Sequence, residues 1–413
     1  MTPDGRASTI FPVLAPAEQG HSARVLGALR QEIAARGGWI PFSDYQQRVL
    51  YAPGLGYYSA GAVKFGSGGD FVTAPEISPL FGRAAARWLA PLLAACGPDA
   101  GILELGAGSG ALALQLLAEL AAMGCAPAAY SIVEVSADLR ARQSAALNAA
   151  AASHRVPLRW LERLPAQFTG VIIANEVLDA LPCERFVQGP SGLLARGVAV
   201  GSSGELLDEL RDPQATPDIA LTTAGSLRDC YADFQRRLQA SDCRLPQGYA
   251  GEFIPSLAPL VRSLSAALRL GALVLVDYGL PRRQLYLPER GAGTLRCIRR
   301  HHAHDDPYRD PGLTDITCWV DFTAVAEAAH DCGLSLRAFA TQMGWMLDAG
   351  LESVLAAAMA TADSDSGRIQ LAQGVKILLL PGEMGEAVKM MCLTRGLADE
   401  LGRVGIQDLR ASL

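Results

Sequence analysis

The chain has 413 residues, half of them hydrophobic and 19% charged, enough for one large domain or two modest ones around a packed core. Its 36 basic and 42 acidic residues leave a net charge of −6, which argues against general nucleic-acid binding and leaves room only for a local basic patch. No apolar run is long enough to span a membrane, and the stretch 112–123 is interrupted by Gln115 and Glu119.

All but three of the basic residues are arginine, a bias that with the many alanines points to a GC-rich, bacterial coding sequence. The nine cysteines are scattered and form no Cys-x-x-Cys pair, against a zinc cage or a thioredoxin-like site. Free thiols in a large chain fit a reducing compartment. The first residues lack the basic start and apolar core of a signal peptide, so the expected location is cytoplasmic.

In chain order, residues 1–20 carry three prolines and predict a loose leader. Residues 22–35 predict an amphipathic helix stopped by Gly37-Gly38. A second helix over 42–50 can be capped by Ser43 or Asp44, with Tyr45, Val49 and Leu50 on one face. A glycine-rich loop follows at 53–70 and a helix at 78–95. Strands are then predicted at 101–105, 130–135, 157–161, 170–174 and 272–278, with helices at 111–122, 137–151 and 256–269. Such alternation predicts an α/β fold with a parallel sheet covered on both faces. Residues 190–250, hairpin-like and then helical, and the polar stretch 281–320 read as insertions over the sheet's carboxyl edge. Residues 334–342 predict a strand; 375–380 and 387–394 read equally as strand or helix.

The most informative stretch is Ile102-Leu103-Glu104-Leu105-Gly106-Ala107-Gly108-Ser109-Gly110. An apolar strand ends in an acid and enters a glycine loop that opens a helix, a unit suited to a nucleotide-like cofactor. The glycine spacing also satisfies the dinucleotide pattern. Glu104 separates the two readings, because a carboxylate beside the first glycine repels a pyrophosphate and suits the ammonium and sulfonium groups of S-adenosylmethionine (SAM). Glu134 ends the second strand, where an acid can accept from both ribose hydroxyls. The candidate cofactor residues are Asp70, Thr73, Glu104, Gly106, Ala107, Gly108, Gly110, Glu134, Val135, Asn175 and Glu176.

Several blocks together resemble one family. They are Gly56-Tyr57-Tyr58, Gly69-Asp70-Phe71-Val72-Thr73-Ala74-Pro75-Glu76, Glu104-Leu105-Gly106, Val133-Glu134-Val135-Ser136, Asn175-Glu176-Val177-Leu178-Asp179-Ala180-Leu181-Pro182, Asp277-Tyr278-Gly279 and Met384-Gly385. The chain resembles the MidA-type class I SAM-dependent methyltransferases from about residue 24 to 396. The resemblance implies a Rossmann-like, seven-stranded, mostly parallel sheet with a final antiparallel pair. It makes 387–394 the last strand and 369–380 a helix. The family often has Pro where Ala107 stands, and Ala is sterically tolerable there. Mitochondrial members are respiratory complex I assembly factors that methylate a protein arginine. By resemblance the partner is therefore a protein substrate, a respiratory-complex subunit being the first candidate. The expected organisation is a helical N-terminal region with the cofactor loop (1–95), a core first half (96–190), an insertion (191–255), a core second half (256–396) holding the second insertion (281–320), and a tail (397–413).

Methyl transfer to an arginine needs carboxylates that orient a planar cation and a group that takes its proton. Glu176 and Asp179 follow a buried strand and lead the candidates; Asp277 and Tyr278 end another such strand. Asp70 and Thr73 end a glycine loop able to close over a cofactor. His304, near Asp305, Asp306 and Asp310, is a further substrate-side candidate; the histidine spacing matches no common zinc site, and none is expected. Glu252 reads as either a substrate contact or a cap, and Asp315, Thr317 and Asp321 as either entrance residues or braces of the insertion. A small-molecule methyltransferase, a dinucleotide oxidoreductase and a non-catalytic assembly factor remain open as alternatives.

Overall fold

The computed structural model describes residues 12–59, 73–215 and 218–413. Its centre is a sheet whose seven long strands are, in chain order, β1 (Gly101–Leu105), β2 (Tyr130–Val133), β3 (Leu158–Leu161), β4 (Phe168–Asn175), β5 (Leu268–Leu280), β6 (Ser335–Thr341) and β7 (Val388–Arg395). Their spatial order is β6-β7-β5-β4-β1-β2-β3. Strands β1 to β5 pair in parallel, and β7 runs antiparallel to both β5 and β6. Residues Val320–Asp321 add a short parallel pairing at the end of β5.

The inner strands are apolar on both faces because both faces are covered. Ile102, Val171, Ile173 and Val274 pack into one buried cluster, with helices α3 (Leu80–Ala95) and α4 (Ala111–Ala122). Leu103, Ile172, Leu273 and Leu275 pack into the other, with α1 (Pro16–Ala35), α2 (Phe42–Tyr51) and α6 (Leu257–Ala267). Helix α5 (Ala137–Ser153) adds Leu147 and Ala151 to the first cluster and is capped by the Ser136 hydroxyl, which accepts from the Leu139 N–H.

One expectation changes and one ambiguity is resolved. Helix α1 begins at Pro16, six residues before the expected start, so residues 16–20 are helical. Proline at the first helical position needs no N–H partner there, and Glu18 reaches back to the Ala15 N–H (2.8 Å). Residues 375–379 lie in the helix Asp365–Leu379, as the family resemblance implied and periodicity alone could not decide.

The segment 190–250 forms two paired strands, Leu193–Val200 and Leu206–Arg211, and then a helix, Leu227–Ala240. These strands join Trp39–Ile40, Glu184–Gln188 and Ala250–Phe253 in a second, antiparallel sheet. The segment 281–320 contains a small sheet of Arg296–Arg299, His302–His304 and Asp315–Thr317. Among the described residues no helix is long and apolar enough to cross a membrane.

Candidate active site

The carboxyl ends of β1, β2 and β4 open on a cavity of about 660 Å³. Its lining includes Thr73, Glu104, Gly106, Ala107, Gly108, Glu134, Val135, Asn175 and Glu176. Asp70 lies outside the described residues. A second stretch of wall comes from the N-terminal region and α6: Gln47, Tyr51, Tyr58, Pro259, Leu260 and Ser263.

The loop after β1 turns sharply. Gly106 has φ +61°, and a Cβ there would lie 3.1 Å from Val177 Cγ2, so a side chain would be strained and would press on the turn after β4. Glu104 is 2% exposed, and its Oε2 accepts from the Tyr130 hydroxyl of the neighbouring strand (2.7 Å). Burial pushes its carboxyl up to about 7, against the pull of the Tyr130 bond.

Glu134 is held at both oxygens. Oε1 accepts from the Ser136 N–H (2.8 Å) and Oε2 from the Gln143 amide (3.1 Å). Burial raises its pKa too. Val135 follows it at 80% exposed, an apolar side chain left in water on the cavity wall.

Glu176 sits just beyond β4 with φ +52°, a left-handed conformation uncommon for glutamate and frequent at functional sites. Its Oε1 accepts from the Ala74 N–H (3.0 Å) and the Asn175 amide (3.1 Å), tying the turn to the helical turn Ala74–Ile77. Thr73 precedes that turn, and Glu76 reaches back to its N–H (3.3 Å). Burial raises the Glu176 carboxyl to about 7.

Five expected site residues do not reach the cavity. Gly110 is turned into the packing under α4, where its Cβ would lie 3.3 Å from Leu147. Asp277 is fully buried and faces the neighbouring turn: Oδ2 accepts from the N–H groups of Leu178 (2.7 Å), Val177 (3.0 Å) and Asp179 (3.4 Å), and Oδ1 from Tyr278 (2.9 Å). Asp179 is buried beside it, and burial together with Asp277 and Glu176 drives its pKa well up. Burial raises the Asp277 carboxyl too, to about 7, but four N–H groups pointing at it pull the other way, so of these two acids Asp277 ionises first. Tyr278 lies outside the lining, its phenol kept protonated by burial and by Glu176, Asp179 and Asp277. His304 lies on the outer strand of the small three-stranded sheet, and burial with Arg309 lowers its pKa.

The insertion acids are braces. Glu252 accepts from the Thr294 N–H (2.7 Å), Asp315 from the Tyr58 hydroxyl (2.9 Å), and Asp321 caps the helix Phe322–Asp331 while pairing with buried Arg282 (2.7 Å). Tyr51 and Tyr58, which had no assigned role, stack at 5.3 Å along the cavity wall. Their signal in the sequence is the Gly56-Tyr57-Tyr58 block, which carries the resemblance without saying what the rings touch.

The strand order and the acid-ended strands around a glycine turn define the class: a class I SAM-dependent methyltransferase. Residues 84–340 match the sequence model of a family described as S-adenosyl-L-methionine-dependent methyltransferase, and the chain belongs to that family. A solved protein from Burkholderia thailandensis, bound to S-adenosyl-homocysteine, is 39% identical, with 98% of this chain and all of that one covered at a TM-score of 0.87. The mitochondrial protein arginine methyltransferase NDUFAF7 is 28% identical in Rattus norvegicus, over 92% of this chain and 86% of that protein. It is 27% identical in Homo sapiens, over 86% and 80%. The cofactor is therefore SAM, and the MidA-type resemblance is borne out. The residues present fit it: a cradle at Gly106 that a Cβ would fill, two buried carboxylates at adjacent strand ends, and an uncovered apolar side chain beside the second.

Proposed function

We propose that the methyl acceptor is the guanidinium of an arginine in a protein. The observation that carries this reading is the charge of the cavity. Among its described lining residues are three carboxylates, Glu104, Glu134 and Glu176, and no Lys, Arg or His. Such a wall favours cations and disfavours phosphates. The relatives' name, protein arginine methyltransferase, supports the same acceptor.

In this reading Glu104 faces the cofactor's ammonium group, Glu134 its ribose hydroxyls and Val135 its adenine, while Asn175 borders its methionine part. When bound, SAM supplies an activated methyl group on a sulfonium centre. Glu176 is left for the acceptor. Its carboxylate binds the planar donor fork, and the Tyr51–Tyr58 wall packs against the flat face. With a carboxyl near 7, Glu176 can take the proton that the methylated nitrogen sheds.

Glu176→Gln keeps an oxygen for the Ala74 N–H and removes the base. It is expected to lower kcat at least about 100-fold, with SAM affinity within about threefold of the parent. The parent's kcat should rise with pH through about 7 as Glu176 ionises, and the variant should lose that limb. Equal kcat in the two proteins would remove Glu176 from the chemistry. The acceptor is tested by tritiated-methyl labelling of a lysate from cells lacking the protein, then mass spectrometry of the labelled species. Label on an arginine supports the proposal, with a respiratory-complex subunit the first protein to assay. Label confined to small molecules overturns it.

A further inference from the structure

We infer that Gln143 and Trp160 form a buried relay that aims the Glu134 carboxylate at the cofactor's ribose diol. This deepens the proposed site and depends on Glu134 being the ribose acid. Gln143 lies in the middle of α5, fully buried, at a position where a polar amide needs a compensating reason. Its orientation is fixed chemically. The Trp160 indole N–H can only donate, and it reaches Gln143 Oε1 at 3.0 Å. The amide NH2 must then face the other way, where it meets two acceptors: the Gly108 carbonyl (3.0 Å) and Glu134 Oε2 (3.1 Å).

One side chain thus ties together the glycine loop after β1, the acid after β2 and an indole on β3. Trp160 stands opposite Ile132 in the β2–β3 pairing, so the relay is anchored on the sheet itself. With the Ser136 N–H on Oε1, the plane of the Glu134 carboxylate has little freedom left. A carboxylate whose plane is so held is preorganised to accept from both hydroxyls of a cis-diol, with little rotational freedom to lose on binding. Gln143 touches no reacting atom and is a positioning residue.

A purely structural glutamine would weaken folding without distinguishing one ligand from another. The test therefore compares S-adenosylhomocysteine with its 2′,3′-dideoxy analogue by calorimetry. Gln143→Met, close in shape and unable to donate, should weaken binding of S-adenosylhomocysteine about 10-fold or more and of the analogue less than about threefold. The loss should fall on KM for SAM rather than on kcat. Trp160→Phe, which removes the N–H donor together with part of the ring, should show the same pattern at smaller amplitude, and it carries the test if Gln143→Met does not fold. Equal weakening of both ligands by these variants overturns the relay. Glu134→Gln separates the two levels. If it discriminates between the ligands and Gln143→Met does not, the relay is wrong and the ribose reading stands. If Glu134→Gln does not discriminate, both fall.

Discussion

Asp277→Ala is expected to lower the unfolding free energy by about 3–5 kcal/mol and to abolish methyl transfer. The carboxylate is fully buried and accepts four backbone N–H bonds, three of them from the turn 177–179. Removing it leaves those donors unpaired at a fully buried position, at about 1–3 kcal/mol each, less than additively. The same turn holds Glu176 in its left-handed conformation, a strain on the order of 1–3 kcal/mol that its surroundings must restrain. Losing the anchor therefore displaces Glu176, the carboxylate proposed to meet the acceptor, as well as weakening the fold. Asp277→Asn should fall between, because its NH2 cannot replace an accepting oxygen. Urea unfolding with single-turnover transfer checks both effects. An Asp277→Ala protein as stable and active as the parent would show that the turn is held by something else.

Glu104→Gln should separate binding from stability in opposite directions. In the proposed reading the buried carboxylate faces a cationic cofactor, so the variant is expected to lose about 100-fold or more in SAM affinity, the cost of truncating one partner of a buried charge pair. The protein without cofactor should become more stable at pH 8. Folding raises this carboxyl from the usual 4.5 to about 7, so between those values the folded state holds a proton that the unfolded state has released. Stability then falls as pH rises from 4.5 to 7 and stays lower above, by about 3 kcal/mol for a shift of this size. The amide has no charge to desolvate and can still accept from Tyr130. Melting temperature against pH, parent minus variant, isolates the Glu104 contribution from those of Glu176 and Glu184, which burial also raises to about 7. Binding by the parent should strengthen as pH rises through about 7. A variant with the parent's affinity would take Glu104 away from the cofactor.

The strands that build the sheet were legible because both faces are buried and the apolar runs end in acids at the cavity edge. Glu104 and Glu134 could be placed on the cavity wall from their positions near the carboxyl ends of two adjacent parallel strands. Asp277 closes a strand in the same way but serves a different end. Only the pairing of Val276 with Asn175 reveals that it lies beside the neighbouring turn, and pairing register is not written in a local pattern. Gln143 gave no signal at all, one amide in an alanine-rich helix whose partners come from a loop and a strand on either side of it. The last strand was ambiguous because Ala387 to Thr394 suits either periodicity; the family resemblance decided it. The early start of α1 was missed because Gly20 and the nearby prolines read as punctuation, although Pro16 and Glu18 are good helix-opening residues.

The place of β7 has a consequence for how the protein is made. It is laid between β5 and β6, both synthesised well before it. While the ribosome works from residue 280 to residue 395, roughly ten seconds of translation, β5 presents a bare edge to the cell and β6 has no strand to join. The cofactor end of the sheet can be assembled in that interval, but the nascent chain must be shielded from pairing with its neighbours until its final strand emerges.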